Sequence, residues 1–284
     1  MITDKNNRTI ENLSGTWNLH NGYKMPYIGL GVYKADDGEE VINAVKWALE
    51  AGYRHIDTAK AYDNEEGVGI AIKESKIDRK DIFLTSKVWN SDQGYDETIQ
   101  AFNDSLKRLD TDYLDLYLIH WPVEGKYKDT WRALEKLYKE GKIKAIGVSN
   151  FLKHHLDDLM KDAEIKPMID QLEFHPWLVQ NELQDFCKQN DIQYEAWSPL
   201  MQGKAFENET LKELGEKYGK SPAQIVIRWD LQNGVITIPK STSKDHIISN
   251  SEVFDFELTD LDMKKINALD RDERIGPNPD NFDF

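Results

Sequence analysis

Eight times along the chain, a short apolar run of β-branched or aromatic residues precedes a longer segment with helical periodicity. That alternation limits the possible folds more than any other feature. The strand candidates span 28–33, 54–57, 82–87, 114–120, 143–148, 167–172, 192–196 and 235–238. The helical segments between and after them run over 39–51, 65–75, 95–109, 128–140, 153–161, 181–190, 209–218 with 222–232, then 244–250 and 260–268. Gly52 and Gly141 stand where helices should stop. Eight strand–helix units on short connections fit a closed parallel α/β barrel, the (β/α)8 TIM barrel; an open doubly wound sheet is the alternative. No composition shift or low-complexity run interrupts the chain between Gly29 and Ala268, so residues 1–284 are expected to form a single barrel domain. Thr16 to Tyr27, with Asn21-Gly22 in its middle, predicts a β-hairpin that could plug the bottom of the barrel. Arg271 to Phe284, a short C-terminal tail rich in Pro, Gly and Asp, predicts coil.

Composition narrows the partners. A formal net charge of −15 argues against wrapping nucleic acid or sitting on an anionic membrane, though a local cationic pocket could still hold an anionic small ligand. The one cysteine, Cys187, allows neither an intrachain disulfide nor a thiolate metal cluster, and its helical setting beside Leu183 and Phe186 reads as a buried structural thiol. The first ten residues are polar, and no window of about 18 apolar residues occurs, so a cytoplasmic location is expected.

Each strand changes character where it stops. The second ends at Asp57 with Tyr62 just beyond it, the third at Lys87 and the fourth at His120. The fifth runs into Ser149-Asn150, the sixth into Gln171 and Glu173, the seventh into Trp197-Ser198 and the eighth into Lys240-Ser241. In a (β/α)8 barrel these ends share one rim, where active sites lie. Taken singly, Asp57 could be a helix cap, His120 a half-buried structural imidazole, Lys87 a snorkelling side chain and Tyr62 ordinary packing. Together they form an acid–base unit. A nearby ammonium favours phenolate over phenol, Asp57 keeps that ammonium charged, and His120 can orient a carbonyl or share its proton.

Rival motifs fail. No G-x-G-x-x-G follows the first strand, and neither a P-loop nor H-E-x-x-H occurs. Tyr138 and Lys142 have a Tyr-x-x-x-Lys spacing used by another reductase fold, but Lys142 follows Gly141 past a helix end and reads as solvated surface. His154-His155 opens a helix without a ligand cluster, so no metal site is expected.

Along nearly its whole length the sequence resembles the aldo-keto reductase family, most closely the bacterial methylglyoxal, glyoxal and 2,5-diketo-gluconate reductases. The resemblance rests on Gly52-Tyr53-Arg54-His55-Ile56-Asp57-Thr58-Ala59 with Tyr62 and Asn64-Glu65, on Leu114 to Pro122, and on Ile238-Pro239-Lys240-Ser241. Gly147-Val148-Ser149-Asn150-Phe151 and Trp197-Ser198-Pro199-Leu200 also match. It implies NADPH-dependent reduction of aldehydes and ketones, with Tyr62 as proton donor assisted by Asp57, Lys87 and His120. It further implies that Ser149, Asn150 and Gln171 hold the nicotinamide carboxamide, that Trp197 stacks on its ring beside Ser198, and that Leu200 and Gln202 line the pyrophosphate. Lys240, Ser241 and Thr242 would bind the 2′-phosphate and its ribose, and Asn250 the adenine. His246 stands where the family usually has arginine, and Ser249 where it often has glutamate, so NADH is expected to bind less tightly than NADPH but to remain possible.

On this reading a carbonyl substrate enters among Tyr33, Trp89 and Trp121, above His120. That aromatic pocket, with no arginine clamp, suits small aldehydes and dicarbonyls such as methylglyoxal, handled by a monomer. Two other functions stay open. A cofactor-sensing barrel without turnover would keep the binding residues, and a barrel glycosidase would pair Asp57 with Glu173.

Overall fold

The structure is a computed structural model and describes residues 2–284. Its eight parallel strands are β3 (Leu30–Gly31), β4 (His55–Asp57), β5 (Phe83–Val88), β6 (Leu114–Ile119), β7 (Ile143–Ser149), β8 (Ile169–Glu173), β9 (Gln193–Trp197) and β10 (Ile236–Thr237), hydrogen-bonded in sequence order. The sheet closes on itself. Ile28 bridges Thr237 and Gly31 bridges Lys240, both parallel, and the Gly29 amide donates to the Thr237 carbonyl at 2.9 Å. The fold is therefore the expected (β/α)8 barrel, and the open sheet is excluded. The seam explains why the first and last strands are shorter than the apolar runs: each pairs through isolated bridges there. It also requires Gly31, where a Cβ would lie 2.8 Å from the Ile238 carbonyl oxygen.

The helices are α1 (Glu39–Ala51), α2 (Glu65–Glu74), α3 (Tyr95–Arg108), α4 (Tyr127–Lys139), α5 (Lys153–Met160), α6 (Asn181–Gln189), α7 (Glu209–Tyr218), α8 (Pro222–Gln232), α9 (Lys244–Ser251) and α10 (Asp260–Asn267). Local chemistry sets their ends. Gly52 terminates α1 in the left-handed conformation at φ 106°. Ser221 and Gln224 form a capping box around Pro222 at the start of α8. In α4, Trp131, Leu134 and Leu137 bury one face against the barrel, and the Trp131 indole donates to the Ile165 carbonyl at 3.0 Å. Cys187 is buried in α6, as its setting implied. Among the described residues no helix is long and apolar enough to cross a membrane.

The predicted hairpin is β1 (Thr16–Asn18) and β2 (Lys24–Pro26), antiparallel. It lies across the N-terminal ends of the strands. Tyr23 donates to Asp115 at 2.6 Å and packs on Phe83, and the Asn21 amide donates to the Lys144 carbonyl at 3.0 Å. The opposite rim is left to the strand ends. Tyr138 lies against Asn21, and Lys142 pairs with Glu140 on the surface, so those two form no reductase pair.

Candidate active site

Lys87 is fully buried and donates from Nζ to Asp57 Oδ1 at 2.7 Å and to the Thr58 carbonyl at 3.0 Å. The Tyr62 hydroxyl lies 3.4 Å from the same nitrogen. Burial works against the ammonium, but Asp57 and Tyr62 together carry its pKa above the ordinary lysine value. The sequence argument expected Lys87 to lower the Tyr62 pKa. Lys87 does pull that way, but burial of the phenol outweighs it, and Tyr62 is pushed up to about 12. At neutral pH the phenol therefore holds its proton. The His120 ring sits edge-on to Tyr62 with centroids 5.7 Å apart. Burial and then the Lys87 charge push its pKa well below the usual histidine range. Of the two roles left open for His120, the neutral imidazole suits orienting a carbonyl and not supplying a proton.

The residues expected to meet the nicotinamide also converge. Ser149 Oγ donates to the Gln171 carbonyl at 2.8 Å, and Asn150 Nδ2 to the His120 carbonyl at 3.0 Å. The Trp197 indole donates to Asn150 Oδ1 at 2.9 Å. Asn150 holds φ 64°, an uncommon conformation for a non-glycine residue, which lets it turn back over the rim. Gln171 Nε2 donates to Asp57 Oδ2 at 2.8 Å and Glu195 Oε2 at 2.9 Å. Both amide hydrogens are thus committed, and what Gln171 has left to offer a ligand is its side-chain oxygen, an acceptor. Ser198, Leu200 and Gln202 follow on an irregular segment, with left-handed Ser198 and Gln202, beyond β9. Lys240 and His246 are exposed, Ser241 and Thr242 are half-buried, and Asn250 is buried in α9. Lys240 forms no ion pair among the described residues, so its charge is available at the end of β10.

The mouth has a wall that sequence reasoning missed. The tail is coil, as expected, but it returns to the rim. Phe284 stacks on Trp89 with centroids 5.7 Å apart and meets Trp121 edge-on at 5.2 Å, and Phe282 packs on Trp121 at 5.1 Å. Asn90 Nδ2 donates to the Phe284 carbonyl at 3.1 Å. Tyr33 is 55% exposed with its ring 5.0 Å from that of Tyr62, so it borders the opening. Glu173 ties down the tail: Oε1 accepts from the Ile275 and Gly276 amides and from His175 at 3.0 Å. A Cβ on Gly276 would meet the Trp197 ring at 2.4 Å. These commitments remove the geometry in which Glu173 and Asp57 act as a glycosidase pair. The tail also brings Asp280 to His154 at 2.9 Å and to His155 at 3.5 Å, a cluster not visible in the sequence. His155 Nδ1 accepts from the Leu152 amide, which leaves the single proton of the neutral ring on Nε2, facing Asp280. Asp280 thus stands within polar reach of both imidazoles.

Two further groups escaped the reading of strand ends, Glu195 because it lies mid-strand in β9 and His55 because it opens β4. Glu195 and His55 are both fully buried in the barrel interior. Burial and then Asp57 push the Glu195 pKa upward, and burial and then Lys87 push His55 down to about 3. Their signal was parity: Glu195 alternates with Trp197, and His55 with Asp57, on the same face of a strand.

The comparisons with known proteins follow this geometry. The family model described as "Aldo/keto reductase family" matches residues 13–271. The chain belongs to the aldo/keto reductase family. As such it is an oxidoreductase. It is 62% identical over 272 residues to glyoxal reductase of Bacillus subtilis, covering 96% of this chain and 99% of that protein. It is 47% identical over 268 residues to methylglyoxal reductase DkgA of Escherichia coli, covering 93% and 96%. Among solved structures, a mutant of Gox0644 in complex with NADPH superposes with a TM-score of 0.91 at 43% identity, covering 95% of this chain and 99% of that one.

Proposed function

We propose that this aldo/keto reductase uses NADPH to reduce small aldehydes and dicarbonyls, glyoxal and methylglyoxal among them, with Tyr62 as the proton donor. The observation that carries the reading is the Tyr62 hydroxyl 3.4 Å from the buried Lys87 ammonium, itself 2.7 Å from Asp57. When bound, NADPH supplies hydride to the carbonyl carbon. Tyr62 gives its proton to the carbonyl oxygen, and the phenolate left behind is held by Lys87. The neutral His120 ring orients the oxygen by hydrogen bonding, and the fixed charges of the dyad favour the developing alkoxide. Ser149, Asn150 and the side-chain oxygen of Gln171 suit a carboxamide, and Trp197 offers a ring face beside them. Lys240, Ser241 and Thr242 suit the 2′-phosphate. Tyr33, Trp89, Trp121, Phe282 and Phe284 make a small aromatic mouth. The relatives reducing glyoxal and methylglyoxal support this substrate class. The lone buried thiol suits the cytoplasm.

The test is NADPH oxidation by the purified protein with glyoxal, methylglyoxal and a nitrobenzaldehyde. Turnover with the dicarbonyls is expected. Tight NADPH binding without turnover of any carbonyl would overturn the reading in favour of a cofactor sensor.

A further inference from the structure

Beneath the rim lies a hydrogen-bonded chain that the proposed chemistry does not by itself require. It runs from Glu195 on β9 through Gln171 on β8 to Asp57 on β4 and on to Lys87 on β5. Its links measure 2.9, 2.8 and 2.7 Å. Glu195, Gln171, Asp57 and Lys87 are all buried, so solvent screens none of these contacts. One amide nitrogen thus spans two carboxylates. Two ionised carboxylates joined through a single amide, with the one ammonium bonded to Asp57, would leave uncompensated charge in the barrel interior.

We propose that Glu195 is a positioning residue for the reductase reaction: its buried carboxyl anchors Gln171, fixing the amide that faces the cofactor and buttresses Asp57, and it does so in its protonated form. The inference rests on the proposed function for the role of Gln171 and deepens it. Burial and Asp57 both raise the Glu195 pKa, in agreement with this. The titratable and charged groups facing it are Asp57 from β4, Lys87 from β5 and His55 from β4, whose Nε2 stands 3.7 Å from Glu195 Oε1. His55 is neutral and bonds Thr85 at 3.2 Å, so it does not compensate a Glu195 anion. Gln171 accordingly loses one of its two carboxyl anchors, the other being Asp57, when Glu195 no longer accepts from it. Loss of the Glu195 proton adds negative charge next to the dyad. The phenolate forming on Tyr62 then becomes harder to reach, and carbonyl reduction slows on the alkaline side.

The experiment compares Glu195→Gln, which keeps an acceptor but cannot ionise, with Glu195→Leu, which lacks the acceptor. Two readouts are taken: the NADPH dissociation constant by tryptophan fluorescence quenching, and the pH profile of kcat for methylglyoxal reduction. Glu195→Leu should weaken NADPH binding about tenfold, a free-energy step comparable to one lost hydrogen bond. Glu195→Gln should recover most of that affinity and move the alkaline limb of kcat upward by about one pH unit or more. The idea is overturned if Glu195→Leu binds NADPH as the wild type does. It is equally overturned if Glu195→Gln leaves the alkaline limb where it was. Should Glu195→Leu fail to fold, the Glu195→Gln profile decides. Should the wild type reduce no carbonyl, the proposed function falls, and the dissociation constants of the two variants still decide whether Glu195 anchors Gln171.

Discussion

A phenol with a pKa pushed up to about 12 beside a fully buried ammonium is a group able to hold a proton and to survive losing it. Tyr62→Phe removes the hydroxyl and keeps the ring against Tyr33 and His120. Turnover should fall by roughly 10² to 10⁴, the range for general acid catalysis, while NADPH affinity holds. A variant retaining more than about a tenth of wild-type kcat would take Tyr62 out of the role. Lys87→Met keeps the stem and deletes the charge that opposes burial at Tyr62. The phenol pKa should then rise further, so the alkaline limb of alcohol oxidation moves to higher pH along with a large rate loss; an unmoved limb would show that Lys87 does not tune the phenol. Asp57, Tyr62, Lys87 and His120 were legible because each breaks an apolar run at its last residue or just beyond it. Glu195 and His55 were not, because a polar residue in the middle of a strand or at its start gives no such break. The pull of Lys87 on Tyr62 was legible but the net upward shift was not, because a sequence names neighbouring charges but not how deeply a hydroxyl is buried.

Elements were legible wherever their signal is local. The capping box of α8, the glycine ending α1 and the Asn21-Gly22 hairpin all follow from a few adjacent residues. The tail was half legible. Its composition correctly implied coil, but nothing local told that Phe282 and Phe284 return to Trp121 and Trp89, more than 150 residues earlier. Such a contact depends on barrel closure bringing distant rim residues together. The tail carries a prediction at this scale. Replacing both Phe282 and Phe284 by alanine removes two rings that each contact the mouth's tryptophans. KM for methylglyoxal should rise several-fold, whereas larger aromatic aldehydes should be admitted better. Steady-state kinetics on both substrates check this, and parallel changes for the two would indicate general damage and not a reshaped opening.

At the scale of the molecule, a net charge of −15 repels every dinucleotide, and the one with an extra phosphate most. Preference for NADPH over NADH must therefore be made locally, and Lys240 is exposed and, among the described residues, without an ion pair at the end of β10. Lys240→Ala should erase most of the discrimination by weakening NADPH about tenfold or more and sparing NADH. Fluorescence titrations with both cofactors measure the ratio, and an unchanged ratio would move the phosphate site elsewhere. The same molecule is sharply polarised from end to end. Its candidate site lies at the rim formed by the C-terminal strand ends, whereas the hairpin covers the other end, with Lys24 exposed on β2. A cysteine placed at exposed Lys24 of β2, where the backbone is extended and not held at a positive φ as at Gly22, would therefore offer a handle for coupling to a bead or electrode. The sole native thiol is buried in α6 and would not compete. An enzyme tethered there would stand with its mouth turned away from the support, open to carbonyl and dinucleotide arriving from the bulk.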